Sequence, residues 1–303
     1  MSLRVTSGTL NRSAMAGLQA NLARLQRTEE QLSSGRKLNR MSDSPVDAAT
    51  AMRLRAEQGQ TTQVGRNIGD GLSWLGAADS AFTQMSAMIL RVRQLLVSGM
   101  NATNGAAERS AMASETDELH SALIDQANAQ YLGRLVFAGT QNVAAAFEPK
   151  TGVYQGNITP IQRNVSTDGS AQLDVTVTGD QAFTTLFSDG PAGAPTAGIL
   201  SRISAAMSSG DTDAMSVELG KLDAASAAMQ GARSLVGARY NRLLRVQSVS
   251  EARLDSVTAS LSTAESIDLP KTIIDIQTQR IAYQASLGAV AKIIQPSLLD
   301  FLR

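Results

Sequence analysis

The sequence contains no cysteine and a single histidine, His120. Without cysteine, disulfide bonds and thiolate chemistry are excluded. One histidine argues against a conventional zinc site and against a Ser-His-Asp triad, because both chemistries depend on imidazole groups. These absences predict that the chain holds no metal and no cofactor, and that it is not an enzyme.

No charge of either sign is in excess, since 27 basic residues balance 27 acidic ones. A nucleic-acid-binding protein usually carries a concentrated basic surface, so we predict no nucleic-acid partner. No apolar run approaches the roughly 20 residues that cross a membrane, and the N-terminal residues lack the apolar segment of a signal peptide. We therefore expect no membrane partner and no cleaved secretory signal.

Aromatic residues are scarce, at 4% of the chain, which favours narrow helix–helix seams filled by aliphatic side chains. Leu18, Leu22, Leu25 and Leu32 follow one another at helical spacing and form one apolar stripe. The stripe stops at the polar, glycine-containing stretch from 33 to 44. This break separates the first helix from the next one.

A second helix is predicted to begin at Ser44-Pro45, because serine is a good N-cap and proline suits the first helical position. From Thr61 to Leu96, apolar residues recur at steps of three and four, as in a coiled coil. A similar repeat runs from Met215 to Leu261. The residues that we predict to form the core of these two long helices are Ile68, Trp74, Leu75, Phe82, Met85, Ile89, Val236, Tyr240, Leu243 and Leu254.

Between the two repeats the pattern changes from helical to β-like. Leu173, Val175 and Val177 alternate with polar residues, which is typical of a half-buried strand. Glycine and proline punctuate the surrounding residues, and 189–197 has the composition of a linker. The sequence therefore predicts a small β-rich insert between two helical halves.

The expected fold is mainly α: a long antiparallel, coiled-coil-like helical rod that carries this insert, with the N- and C-terminal helices paired. We predict a terminal assembly domain from residues 1–43 and 265–303. The rod domain, which includes a short β-hairpin, would comprise residues 44–150 and 195–264. Residues 151–194 would form the outer insert domain.

The terminal helices carry more apolar surface than the rest of the chain is expected to cover, so we predict that other molecules bury it. Charge on these stripes is modest, which suits a dry seam. The residues that we predict to form this assembly interface are Leu18, Leu22, Leu25, Leu32, Ile273, Ile276, Tyr283, Leu287, Val290 and Ile294.

Several segments in order resemble the flagellin superfamily. The break contains Leu32-Ser33-Ser34-Gly35-Arg36 and then Asp43-Ser44-Pro45, which is similar to the N-terminal signature of that superfamily. Asn67 to Gly71 and Gly237 to Leu243 resemble two further motifs of it. Within the superfamily, Tyr131 to Thr140 is similar to a segment of the hook–filament junction proteins, although Arg134-Leu135 replaces their usual aromatic-leucine pair.

The resemblance implies a structural role in the bacterial flagellum, as an adaptor ring between hook and filament. It implies four partners: further copies of the chain, hook-associated protein 1, flagellin, and an export chaperone that covers the C-terminal helix. It also implies export through the flagellar type III channel to the extracellular flagellum.

Two other functions fit the same residues. The first is a short flagellin that polymerises into the filament itself. Pro296 favours this alternative, because filament subunits often carry a proline nearby. A helical signalling or secretion-tip protein that binds a partner through its coiled coils is the alternative from a different class.

Overall fold

The computed structural model describes residues 7–101, 103–187 and 197–299. This part of the chain is mainly α-helical. Its elements, in chain order, are α1 (Ser7–Ser34), α2 (Pro45–Gly99), α3 (Ala106–Ala127), β1 (Gln130–Tyr131), β2 (Arg134–Leu135), β3 (Gln162–Asn164), β4 (Gln172–Asp174), α4 (Gly179–Phe187), α5 (Ile199–Ser209), α6 (Thr212–Glu265) and α7 (Leu269–Leu299).

The chain divides into two compact units. The terminal unit comprises residues 1–59 and 254–303, and the central unit comprises residues 60–253. The start of α2 and the end of α6 interact within the terminal unit. Gln58 donates a hydrogen bond to Thr258 over 3.3 Å, and Arg55 pairs with Glu265 at 2.8 Å.

The core of the central unit forms along α2 and α6, which run antiparallel. Ion pairs flank this core: Arg233 lies 2.8 Å from Asp79, and Arg93 lies 2.8 Å from Asp223. Eight of the predicted core residues are buried here, namely Ile68, Trp74, Leu75, Phe82, Met85, Ile89, Val236 and Leu243.

Two residues predicted for this core are not fully buried. Tyr240 is 37% exposed, because Gly76 and Asp79, which line the same surface groove on α2, are too small to cover its ring. Leu254 is only half-buried and belongs to the terminal unit.

The predicted insert is part of the central unit and shares its core. Strands β3 and β4 pair antiparallel over three residues each, and the nine-residue helix α4 follows them. Val175 packs so closely on Gly71 that a Cβ atom there would lie 2.8 Å from it. Gly71, which interrupts the apolar stripe in the sequence, is therefore the point where the insert meets α2.

Aromatic side chains form one dense cluster in the central unit. Phe183 of α4 lies at its centre, with ring centroids 4.9 Å from Phe137, 5.3 Å from Phe82 and 6.1 Å from Phe147. All four rings are buried. The aromatic residues of this cluster therefore lie where α4 and the segment after β2 pack against α2.

Candidate assembly interface

Helices α1 and α7 pack against each other in the terminal unit. Ile276 and Val290 of α7 are buried, while Leu18, Leu25 and Leu32 of α1 are half-buried. A hydrogen bond from Thr28 to Gln279 over 2.9 Å and an ion pair between Glu29 and Arg280 at 3.1 Å set the register. The two helices run antiparallel, and their seam is aliphatic with one polar pair within it.

The two helix breaks of the terminal unit pair with each other. Arg36, just after α1, forms an antiparallel bridge with Ser266, just after α6. The backbone N–H of Lys37 donates to the carbonyl oxygen of Glu265 over 2.6 Å, and that of Ile267 donates to the carbonyl oxygen of Gly35 over 3.3 Å. Gly35 adopts φ +68°, which is the left-handed conformation that commonly ends a helix. We call this pairing the clip.

Side chains from the break also begin α2. The Asp43 carboxylate accepts the backbone N–H groups of Asn39 and Arg40, over 3.2 and 2.8 Å. Ser44 accepts the backbone N–H of Asp47 over 3.4 Å, as its predicted role of N-cap requires. Hydrogen bonds to its carboxylate lower the pKa of Asp47, with the bond from Lys37 having the larger effect and that from Ser44 the smaller one. A negative charge is thereby held at the N-terminus of α2, where the helix dipole favours it.

A buried carboxylate lies directly beside the clip. Glu265 is 8% exposed, and its Oε1 atom lies 2.8 Å from Nε of Arg55, which is itself half exposed. A buried charge is tolerated when it is paired. Arg55 of α2 therefore fixes the end of α6 at the level of the clip.

Helix α7 keeps a second apolar strip that α1 does not cover. Ile274 is 62% exposed and Ile281 is 67% exposed, and Leu269, Ile273 and Leu287 are exposed as well. At about 100° per residue, Ile274 lies about 160° from the buried Ile276 around the helix axis, and Ile281 about 140° from it. Apolar residues thus occupy a wider sector of α7 than one partner helix can bury. Leu269 and Leu287 lie only about 20° from Ile276, so we call Ile274 and Ile281 alone the outer strip.

The residues predicted for the assembly interface differ in exposure within the single chain. Leu22, Ile273 and Leu287 are exposed, whereas Leu18, Leu25, Leu32 and Tyr283 are half-buried. Ile276 and Val290 are already buried in the single chain. The side chain of Ile294 lies outside the described part of the structure.

Sequence reasoning left Leu269, Ile274 and Ile281 out of the predicted interface. The signal was present, because Ile274 and Ile281 are seven residues apart on a face different from that of the main stripe. Only the position of α1 shows which of the two apolar faces of α7 stays uncovered.

Neither a metal centre nor a membrane span is found among the described residues. No three histidine, cysteine, aspartate or glutamate side chains lie close enough there to bind an ion. No helix in this part of the chain combines the length and the apolar character of a bilayer-crossing segment. His120 of α3 stacks on Phe187 with ring centroids 6.0 Å apart, and burial lowers its pKa, so its imidazole is held neutral.

Residues 5–142 match the family model described as the bacterial flagellin N-terminal helical region. Flagellar hook-associated protein 3 of Escherichia coli (strain K12) is 25% identical over 95% of this chain and 96% of its own length. Flagellin of Bacillus subtilis (strain 168) is 27% identical over 97% of this chain and 96% of its own length.

The fold is similar to that of a solved flagellar hook-associated protein from Vibrio parahaemolyticus. The TM-score is 0.64 at 21% identity, over 74% of this chain and 100% of the other.

Proposed function

Since the chain belongs to the flagellin superfamily, we propose that it is a structural protein of the bacterial flagellum that joins hook and filament as a ring of identical copies. The N- and C-terminal helices would form the inner, helix-packed layer of this ring. The central unit would make lateral contacts outside that layer. The chain would act in the extracellular flagellum, and it would have no catalytic role.

The outer strip of α7 is the single observation that carries this proposal. Exposed apolar residues scattered over a surface are ordinary, but Ile274 and Ile281 lie seven residues apart on one face of α7, and both are more than half exposed. The antiparallel α1–α7 pair leaves this strip facing away from its own seam. Burying it requires additional helices, and further copies of the same pair supply helices of matching length and character.

The polar contents of the terminal unit fit the same role. Two of its charged pairs, Arg280 with Glu29 and Arg40 with Glu30, are largely exposed to solvent. At helical spacing, Ala285 and Gly288 continue the face of Ile274 and Ile281, and Thr278 between the two isoleucines is uncharged. A second helix would therefore cover the strip without desolvating an unpaired charge.

The partners that we propose follow from the resemblance to junction proteins. The ring would contact hook-associated protein 1 on one side and flagellin on the other. Before assembly, an export chaperone would cover the C-terminal helix, whose outer strip is otherwise open to water. The chain would leave the cell through the flagellar type III channel.

Deletion of the gene from its own bacterium tests the proposal. The deletion strain should retain hooks and export flagellin, yet shed the flagellin into the medium because the filament has no attachment. The full-length gene supplied in trans should restore attached filaments. Normal attached filaments in the deletion strain, with the protein recovered from the cytosol, would instead favour a helical signalling protein.

The similarity to flagellin of Bacillus subtilis over nearly the whole chain favours one second candidate, a short flagellin. Purified full-length protein that grows long filaments without other components would establish that role. A junction ring is expected to stop at a defined size, so electron microscopy of the concentrated protein separates the two functions.

A further inference from the structure

The β1–β2 hairpin has an unusual residue at its tip. Gln130 pairs with Leu135 and Tyr131 with Arg134, which leaves Leu132 and Gly133 as a two-residue turn. Both have positive φ, +49° for Leu132 and +75° for Gly133, as a type I′ turn requires. Asparagine or glycine normally occupies the first of these positions, because leucine is strained there. Leu132 is nevertheless 80% exposed, so no contact within its own chain explains it.

The base of the hairpin is held firmly. The ring of Tyr131 meets Trp74 edge to face with centroids 5.4 Å apart, and the Arg134 guanidinium lies 5.9 Å from the centre of the same indole. Val136, immediately after β2, is fully buried, and its N–H donates to Ala129 over 2.9 Å. The fold therefore presents Leu132 at a fixed position instead of on a flexible loop.

A groove of about 340 Å³ opens on the same unit, between α2 and α6. Its lining residues are Leu75, Gly76, Asp79, Val236, Gly237, Tyr240 and Asn241. The one carboxylate among them, Asp79, is already paired with Arg233 at 2.8 Å. An apolar side chain that enters the groove would consequently contact leucine, valine and the tyrosine ring without burying an unpaired charge.

Two glycines line this groove, Gly76 on α2 and Gly237 on α6. A Cβ atom at Gly76 or Gly237 would meet nothing within 4 Å, and neither residue has a positive φ. Glycine inside a helix is destabilising relative to alanine. Without a side chain at either position, the groove stays open to a side chain from another chain.

The hairpin and the groove lie on different sides of α2. Trp74, which contacts the hairpin, and Asp79, which lines the groove, are five residues apart and so about 140° apart around the helix axis. A contact between the hairpin of one copy and the groove of the next leaves the other hairpin and the other groove free. Such head-to-tail contacts repeat from copy to copy, and they form a ring when the rotation between neighbouring copies closes.

We propose that Leu132 of one copy seats in the groove lined by Gly76 and Gly237 of the neighbouring copy, as a lateral contact of the assembled ring. This inference rests on the proposed function in one respect, that copies of the chain assemble side by side. It adds the two surfaces of the central unit that meet.

Disulfide trapping tests the contact directly, because the natural chain contains no cysteine. Full-length Leu132→Cys and Gly237→Cys variants, carrying different tags, are expressed together in the deletion strain, and isolated flagella are oxidised mildly. We expect a disulfide-linked dimer that contains both tags. The matched control pairs Leu132→Cys with Gly220→Cys, a helical glycine of α6 whose surroundings are equally open, and should give little dimer.

The outcomes separate the contact from the proposed function. Attached filaments without a mixed dimer would overturn the contact and leave the junction role intact. If the natural chain fails to restore attachment, the junction role is wrong. The same two variants are then oxidised as concentrated pure protein, where a dimer no stronger than that of the Gly220→Cys control overturns the contact as well.

Stability measurements give a second, independent readout. Leu132→Asn places the preferred residue in the turn, so the thermal midpoint of the purified chain should stay equal or rise while fewer filaments attach. Gly76→Ala should raise the midpoint by about 2 °C and also weaken attachment. A fall in midpoint for Leu132→Asn would show that Leu132 stabilises its own chain, and would overturn the proposal.

Discussion

The two units of the molecule are filled by different kinds of side chain. Five of the six phenylalanines and the only tryptophan lie in the central unit, where they join one continuous core with α2, α4 and α6. Among the described residues of the terminal unit, Tyr283 is the single aromatic side chain, and leucine, isoleucine and valine fill the seam between α1 and α7.

This difference shows which unit depends on other molecules. The central unit buries large rings from several elements, so its core is complete within one chain. The terminal unit buries mainly one side of each helix, and a two-helix seam of that size is marginal by itself. Its outer strip gains a second buried face only when another molecule covers it.

The two units also differ in the polar contacts that join their elements. In the central unit, Arg239 donates to the carbonyl oxygen of Thr176 over 2.6 Å and to Asp174 over 3.0 Å, and Arg163 pairs with Asp70 at 2.7 Å. These contacts attach the β3–β4 sheet to α6 and α2. In the terminal unit, the clip uses backbone groups and one buried carboxylate to join segments from the two ends of the chain.

A charge on the outer strip should have the largest effect, the loss of assembly. In Ile281→Glu, a carboxylate would have to be buried when a neighbouring helix covers the strip, which is costly without a partner. We expect no attached filaments in cells, with the circular dichroism spectrum and thermal midpoint of the monomer nearly unchanged.

Gln284→Glu is the matched control, because Gln284 is exposed on the same helix and is already polar. It should retain attached filaments. An equal loss of attachment in both variants would mean that added charge anywhere on α7 interferes with export or assembly, and the outer strip would lose its assigned role.

Truncation in the aromatic cluster should have the next largest effect. Phe183→Ala removes the ring at the centre of the cluster and should lower the free energy of unfolding of the central unit by about 3–5 kcal/mol. Urea unfolding followed by tryptophan fluorescence measures this unit specifically, because Trp74 lies within it.

Leu18→Ala provides the contrast from the terminal unit, where the deleted side chain is only half-buried. It should leave the fluorescence transition in place. A similar shift in both variants would show that the two units unfold as one, which the difference between their cores argues against.

Removal of an ion pair should have a larger effect in the terminal unit than in the central unit. Arg55→Ala leaves the buried Glu265 carboxylate without its partner and should weaken the clip by about 1–2 kcal/mol, a value reduced because Arg55 is half exposed. Hydrogen exchange of the amides of Lys37 and Ile267 should then be faster by roughly 5- to 30-fold.

Arg93→Ala removes a pair in which both side chains are half exposed, and should leave exchange in the central unit unchanged. If amide exchange increased more around Arg93 in Arg93→Ala than around the clip in Arg55→Ala, the expected order of the two ion pairs would be wrong.

Tyr154→Phe should have the smallest effect, about 1 kcal/mol at neutral pH, because it removes one hydroxyl. That hydroxyl lies 2.9 Å from the carbonyl oxygens of both Phe137 and Asn157. Burial, assisted by the charge of Asp180, raises the pKa of Tyr154 to about 12, so the folded chain holds this proton more tightly than the unfolded chain does.

The stabilisation from this group is therefore fully present below pH 10, and it is lost as the pH rises through about 12. Between those values the natural chain should lose stability more steeply than Tyr154→Phe does. Parallel curves for urea unfolding at pH 9, 10 and 11 would contradict this assignment.

Local features of the fold could be predicted from the sequence because their causes are local. Ser44 and Pro45 fix the start of α2 through capping and φ alone, and the repeat from Thr61 to Leu96 identifies one face of that helix without reference to other elements. The break after Ser34 and the end of α6 were also visible, since polar and glycine residues interrupt two long periodic patterns there.

Other features depend on which elements meet, and spacing cannot supply that. From the sequence alone, Gly71 only weakens the apolar stripe of α2. The structure shows that Val175 occupies the space that a side chain at Gly71 would fill. From the sequence alone, Tyr240 is predicted to be a core residue. In the structure it faces the small residues of α2 and stays partly exposed. On α7 two apolar faces compete, and the position of α1 decides that Ile276 is covered and Ile281 is not.

The clip has a consequence for the order in which the molecule folds. Arg36 and Ser266 are 230 positions apart, so this bridge requires almost the entire polypeptide. A chain that emerges from its N-terminus lacks the partner of α1 until its last segment follows, whereas all contacts of the central unit are available earlier. Premature oligomerisation of incomplete chains is thereby disfavoured, since the surface that recruits neighbours belongs to the segment that arrives last.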